Sequence, residues 1–236
     1  MIVSRLAFSL ICLSFLMGCQ GPASQDNDIH VADVAIRNGS PDVALAVTRK
    51  YLQQHPNNAH ALCIQGNAEA LKDQVPQADA SFNRALTLSR NENCALLGLG
   101  RLKLRASPQE AAALLERAVH LSADTAALVD LAIAYDLQRQ HSKAQALYTQ
   151  VIAASPENTN AVINMGLSLA LSGKADSALS YLEPMIQKGN CSNRVRGDAA
   201  FAMVQAGHIR DAEILLRTYL SEEETKKTLR QYAEFR

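Results

Sequence analysis

The sequence predicts an all-α fold: an α-solenoid of about six helix-turn-helix repeats closed by a C-terminal capping helix. Three observations carry that reading. Small residues recur in two independent series, Ala44, Ala78, Ala111, Ala144, Ala178, Ala212 and Ala32, Gly66, Gly100, Ala132, Gly166, Ala200. The steps are 34, 33, 33, 34 and 34 in the first and 34, 34, 32, 34 and 34 in the second, so both place a two-residue shortening in the third unit. The composition is that of helices, with abundant Ala, Leu and Gln, no Trp, 5% aromatic residues, and only scattered Gly and Pro.

The chain opens on a segment that stands outside the fold. Residues 1–18 have the layout of a secretory signal peptide, with Arg5 as the positive charge and an apolar run from Leu6 to Leu16 that is too short for a membrane span. The run leads into Leu16-Met17-Gly18-Cys19, a large aliphatic residue and then a small one directly before a cysteine. That pattern resembles the bacterial lipobox, which implies cleavage before Cys19 and covalent acyl chains, palmitate among them, on its thiol and new amino terminus. One chain holds a membrane marginally, at about 0.8 kcal/mol per buried CH2, whereas two or more anchor stably. Gln20 follows. In Gram-negative lipoproteins an Asp there resembles an inner-membrane retention signal, so Gln20 implies the outer membrane, periplasmic face. From acylated Cys19 to Asp28 the chain is a polar, Pro- and Ser-containing tether.

The array proper is expected over residues 29–236, with units at about 25–58, 59–92, 93–124, 125–158, 159–192 and 193–226 and a capping helix at 227–236. Within each unit the small residues let two helices cross closely, and a bulky residue such as Phe82 or Tyr148 fills the space between units. Gly39, Gly173 and Gly207 fall where the two helices of a hairpin join and a positive φ is convenient. Pro56 and Pro156 end second helices, having no amide to continue them. After Ser221 and the run Glu222–Glu224, which suit a helix start, Leu229, Tyr232 and Phe235 form one apolar stripe. The pattern resembles the tetratricopeptide repeat (TPR), best in the fourth unit with Ala132, Tyr135, Ala144, Tyr148 and Pro156. Thr48 stands where that family has an aromatic residue, and Arg90 and Asn190 where it has Pro.

Little in the chain points to chemistry. Formal net charge is zero, with no basic cluster of the kind nucleic acid requires. There is no phosphate loop; Gly98-Leu99-Gly100 reads as helix packing. The six histidines have no ligand spacing, so no metal and no cofactor beyond the acyl chains are expected, and no enzyme activity. Of the cysteines beyond Cys19, Cys63, Cys94 and Cys191 read as buried small hydrophobes. A bridge between Cys63 and Cys94 is conceivable on neighbouring helices. It is disfavoured because helix axes lie about 8–10 Å apart and a disulfide needs Cα atoms within about 7 Å.

Function is then expected on a surface. In TPR stacks the first helices line a concave groove, and the corresponding residues here are Asn67 and Leu71; Leu97, Arg101, Leu104 and Arg105; Val129, Ile133 and Asp136; and Asn160, Ile163 and Leu167. This mostly apolar lining suits an amphipathic or extended apolar partner segment. The C-terminal half is more specific. Leu167-Ser168-Leu169-Ala170-Leu171-Ser172-Gly173 precedes a basic Arg194-Val195-Arg196, then Ala206-Gly207-His208-Ile209-Arg210-Asp211-Ala212-Glu213. These stretches resemble the TadD lipoproteins of tight-adherence (Flp) pilus systems. The resemblance implies a non-enzymatic assembly role with protein partners of a pilus or secretion apparatus, the secretin among them. A pilotin of a type IV pilus, or another TPR envelope-assembly lipoprotein, is the alternative. Replacing Cys19 with Ala is expected to abolish incorporation of labelled palmitate; persistence of the label would refute the lipobox reading.

Overall fold

The computed structural model describes residues 23–189 and 191–235, with side chains from Asp28 onward. Cys19, where acylation is expected, lies outside the described residues with the rest of residues 1–22, Asn190 and Arg236. Among the described residues there are thirteen helices and no strand. They pair as hairpins: α1 Ala23–Arg37 with α2 Pro41–Gln54, α3 Ala59–Leu71 with α4 Val75–Leu88, and α5 Asn93–Lys103 with α6 Pro108–Leu121. The series continues with α7 Thr125–Leu137 and α8 His141–Ala154, α9 Thr159–Leu171 and α10 Ala175–Gln187, then α11 Asn193–Gln205 and α12 Ile209–Leu216. The closing helix α13 is Glu222–Glu234, so it starts ahead of residue 227, directly after its cap. Each helix packs on the next, and each first helix also on the first helix of the following hairpin. The result is a TPR-like helical solenoid with neighbour contacts only.

Local chemistry sets the ends. Asn58, Asp124, Asn158 and Ser192 cap the first helices, each side chain accepting from a backbone N–H three residues on, at 2.8, 2.8, 3.0 and 3.4 Å. Ser221 and Glu224 form a reciprocal capping box on α13. At the hairpin turns Gly39, Gly173 and Gly207 do take positive φ (66°, 79° and 87°), and Asp73 and Arg139 occupy the equivalent places at 58° and 59°. The third unit departs from this. Its helix α5 has 11 residues where α3, α7, α9 and α11 have 13, and Ser107 ahead of α6 has an extended φ of −149°. One residue is missing at that turn, since Gly100 to Ala111 spans eleven positions instead of twelve, and a second is missing between α6 and α7. The shortening read from the spacings is therefore divided between two turns.

The core is a chain of small-against-large contacts. Phe82 is fully buried between two glycines: a Cβ on Gly66 would lie 2.7 Å from its ring, and one on Gly98 closer still. In the same way a Cβ on Gly100 would meet Leu115 at 2.7 Å, and one on Gly166 would meet Leu182 at 2.6 Å. Polar ties run along the second helices, where Arg84 donates to the Pro56 carbonyl and Arg117 to the Arg90 carbonyl, both at 2.6 Å. At the C-terminal end, Phe201 of α11 meets Tyr232 and Phe235 edge-on, with ring centroids 5.3 and 5.2 Å away. Beside them the carboxyl of Asp198, only 17% exposed, faces the Arg194 guanidinium at 3.7 Å.

Two predictions follow from this packing. Alanine normally gains about 1 kcal/mol over glycine inside a helix, but at Gly98 the extra methyl presses on a ring already held by Gly66, at a cost of about 1–3 kcal/mol. Gly98→Ala is expected to lower the urea midpoint, and Phe82→Leu in the same chain to recover part of the loss. Burial, offset in part by Arg194, pushes the Asp198 carboxyl up to about 6. The folded chain therefore holds that proton more tightly than the unfolded one, so the ionised group opposes folding. The penalty is full above about pH 6 and gone below about pH 4. Asp198→Asn is expected to raise unfolding free energy by about 1–3 kcal/mol near pH 7.5 and to leave it nearly unchanged near pH 4.

Candidate partner-binding groove

The first helices are arranged side by side, and three recesses open along the face they share. The first, about 410 Å³, is lined by Ile36, Asn67, Ala70, Leu71, Phe82, Gly98, Arg101 and Leu102. The second, about 310 Å³, lies among Arg101, Thr125, Ala126, Val129, Asp130, Asn158 and Asn160. The third, about 170 Å³, is formed by Ile133, Asp136, Leu137, Tyr148, Asn164, Leu167, Leu171 and Arg194. Asn67, Leu71, Arg101, Val129, Asn160, Ile133, Asp136 and Leu167 thus line recesses of the groove face.

Four expected lining residues are placed differently. Leu97 and Leu104 pack against the core of Ala111, Ala112, Leu115, Leu131 and Ala134, between the third and fourth units. Because α5 stops at Lys103, Leu104 and Arg105 belong to the turn beyond it, and Arg105 is exposed there. The register carried over from full-length repeats overshoots in the shortened unit. Ile163 is 8% exposed and lies outside the three recesses.

The electrostatics of the face are local. Arg101 pairs with Asp130 at 2.6 Å across the second recess. Burial raises the Asp130 carboxyl above its ordinary range, and Arg101 opposes this. In the third recess Asp136 accepts from Ser168 at 2.6 Å and Tyr148 at 3.1 Å, and lies 2.8 Å from His141 Nδ1. Burial raises this carboxyl too, against those hydrogen bonds. The carboxylate sits between the hydroxyl and the imidazole, and the network ties α7, α8 and α9 together. Arg194 donates to the Asn164 amide oxygen at 2.7 Å and brings a cation to the rim of an apolar slot. Spacing arguments missed Asn164 and Tyr148 as lining residues, since both lie outside the first-helix positions expected to face the groove.

The cysteines depart from expectation. Cys63 and Cys94 are joined by a disulfide, with Cα atoms 6.0 Å apart, and Cys191 is free and partly exposed. The spacing argument compared helix axes with Cα atoms. Each Cα lies about 2.3 Å off its axis, so residues on facing sides approach well inside the interaxial distance. The bridge closes a loop of 31 residues, which stabilises by about 3–4 kcal/mol through lost chain entropy in the unfolded state. His60 also proves to have carboxylate neighbours, Asp33 of α1 at 3.2 Å and Glu92, at the start of α5, at 3.3 Å. Motif spacing within a helix could not reveal a cluster assembled across three hairpins.

Comparison with known proteins places these features. Residues 126–158 match the tetratricopeptide repeat family. Over 173 residues the chain is 25% identical to the uncharacterized protein y4yS of Sinorhizobium fredii, covering 73% of this chain and 87% of that one. Among solved structures it is similar to PilW, described as a widely conserved type IV pilus biogenesis factor, with a TM-score of 0.72, 19% identity and coverage of 89% and 100%. PilF of Pseudomonas aeruginosa gives 0.71 at 16% identity, covering 89% and 98%. MamA of Desulfovibrio magneticus RS-1 gives 0.60 at 22%, covering 71% and 97%. These likenesses establish the architecture as a TPR-like solenoid.

Proposed function

We propose that the protein is a non-enzymatic scaffold of a pilus-type envelope machine, anchored to the outer membrane through acylated Cys19 and holding a partner segment in its groove. The observation that carries the groove reading is the third recess. Ile133, Leu137, Leu167 and Leu171 make an apolar slot between α7 and α9, and Asn164 and Arg194 stand at its rim. A slot of about 170 Å³ accepts one or two aliphatic side chains. The Arg194 cation favours a carboxylate beside them. The occupant is therefore an amphipathic segment carrying an apolar residue next to an acidic one. The second recess, with Arg101 and Asp130 paired across it, gives the continuation of that segment a polar path.

Within that role, the tight-adherence (Flp) pilus is the reading supported by the C-terminal repeats, and the secretin is the partner assigned. A type IV pilus pilotin is a second reading, supported by the similarity to PilW and PilF over nearly the whole of those chains. Gene neighbours separate the two in the native host. Leu167→Glu places a charge in the slot from a half-buried position. A strain producing this variant at normal level is expected to lose secretin multimers as fully as a deletion strain, while other outer-membrane proteins assemble normally. Intact multimers in both strains would sink the secretin assignment; intact multimers in the variant alone would sink the slot.

A further inference from the structure

The disulfide joins α3 to α5 beside the groove, and it has polar company. His60 lies one turn before Cys63 on α3, with Nδ1 3.3 Å from Glu92 Oε1 and Nε2 3.2 Å from Asp33 Oδ2. One ligand atom each from His60, Glu92 and Cys94 falls within 4.8 Å of the others, and Cys63 Sγ is bonded to that of Cys94. Two sulfurs, an imidazole and a carboxylate are a donor set that zinc takes.

Three further observations distinguish the cluster from chance proximity. Glu92 stands at the cap position of α5, where Asn58, Asp124, Asn158 and Ser192 cap the first helices α3, α7, α9 and α11, yet it caps nothing and turns to His60 instead. That choice forgoes about 1 kcal/mol of helix stability. The Asn67 amide nitrogen lies 3.4 Å from Cys94 Sγ and 3.7 Å from Cys63 Sγ, a donor aimed at sulfur that favours thiolate. Asp33 holds the imidazole nitrogen remote from Glu92, the partner that orients a metal-binding histidine.

We propose that this is a redox-gated divalent-metal site that takes Zn2+ once the disulfide opens. A dithiol donor supplies two electrons and two protons, becomes a disulfide itself, and leaves Cys63 and Cys94 as thiols. Binding of the ion then releases both thiol protons, since the thiolate is the ligand. His60 Nδ1 and Glu92 complete a four-fold set. Zinc bonds of about 2.0–2.3 Å place tetrahedral ligand atoms about 3.3–3.8 Å apart, so His60, Glu92 and Cys94 close by less than about 1.5 Å while the two sulfurs, no longer bonded, move apart to the same spacing. The covalent bond is exchanged for a metal staple between the same two repeats.

The test uses the full chain with Cys12, Cys19 and Cys191 replaced by Ser, so that Cys63 and Cys94 are its only thiols. The chain is reduced with a phosphine, desalted without oxygen and titrated with Co2+, a spectroscopic stand-in that Zn2+ displaces. One cobalt per reduced chain is expected, with thiolate charge-transfer absorption and tetrahedral ligand-field bands, and none on the oxidised chain. His60→Ala and Glu92→Gln should each weaken cobalt binding by at least about tenfold, with the helical circular dichroism of the parent retained; His60→Gln serves where the alanine variant does not fold. No stoichiometric cobalt on the reduced chain, equal uptake by the oxidised chain, or undiminished affinity in the folded His60 and Glu92 variants would each overturn the proposal.

Discussion

Everything in this structure rests on helices crossing closely enough to lock a large side chain against a missing one. Phe82 between Gly66 and Gly98, Leu115 on Gly100 and Leu182 on Gly166 are instances of one contact repeated along the stack. The contact has no slack, because the apolar interior is packed as densely as an organic crystal. Where it bridges two hairpins, as Phe82 does between Gly66 of α3 and Gly98 of α5, it also fixes the distance between adjacent first helices, and that distance decides how wide the groove is there. An isolated hairpin keeps a contact such as Gly100 with Leu115 but loses the Gly98 side of Phe82, so order spreads from neighbour to neighbour along the chain.

This explains which parts of the structure could be read from sequence. The small residues are visible as a period, and through them the hairpins, the turns at Gly39, Gly173 and Gly207 and the packing role of Gly98 and Gly100 were legible. Parts of the groove face were legible: Asn67, Ile133, Asp136 and Leu167 line recesses, while Ile163 of the fifth unit is buried and lines none of the three. Legibility failed for Leu97, Leu104 and Arg105 of the third unit, though not for Arg101, because a period locates small residues but not where a deletion falls. One missing residue at the α5–α6 turn ends the helix early and leaves Leu104 and Arg105 outside it.

The second class of illegible features comprises contacts between repeats. Cys63 with Cys94, His60 with Asp33 and Glu92, and Arg194 with Asn164 each join residues about one repeat apart. A reading that asks what lies within a helical turn cannot find them, whereas one that asks what lies one period away can. In a solenoid, sequence separation equal to the repeat length is the natural unit of proximity for the groove face. Buried carboxylates follow the same logic. Asp136 is held by groups on α8 and α9, and its raised affinity for protons comes from burial that those neighbours create.

The disulfide has a mechanical side as well. Tension applied to a solenoid from its two ends peels it repeat by repeat, because each unit is held only by its neighbours. A covalent link from Cys63 to Cys94 carries such a load directly from α3 to α5. The intervening backbone, all of α4 included, is bypassed and stays slack. A pull along the chain can therefore lengthen it on either side of the second hairpin while that stretch remains unextended, a fuse that cannot blow until sulfur chemistry opens it.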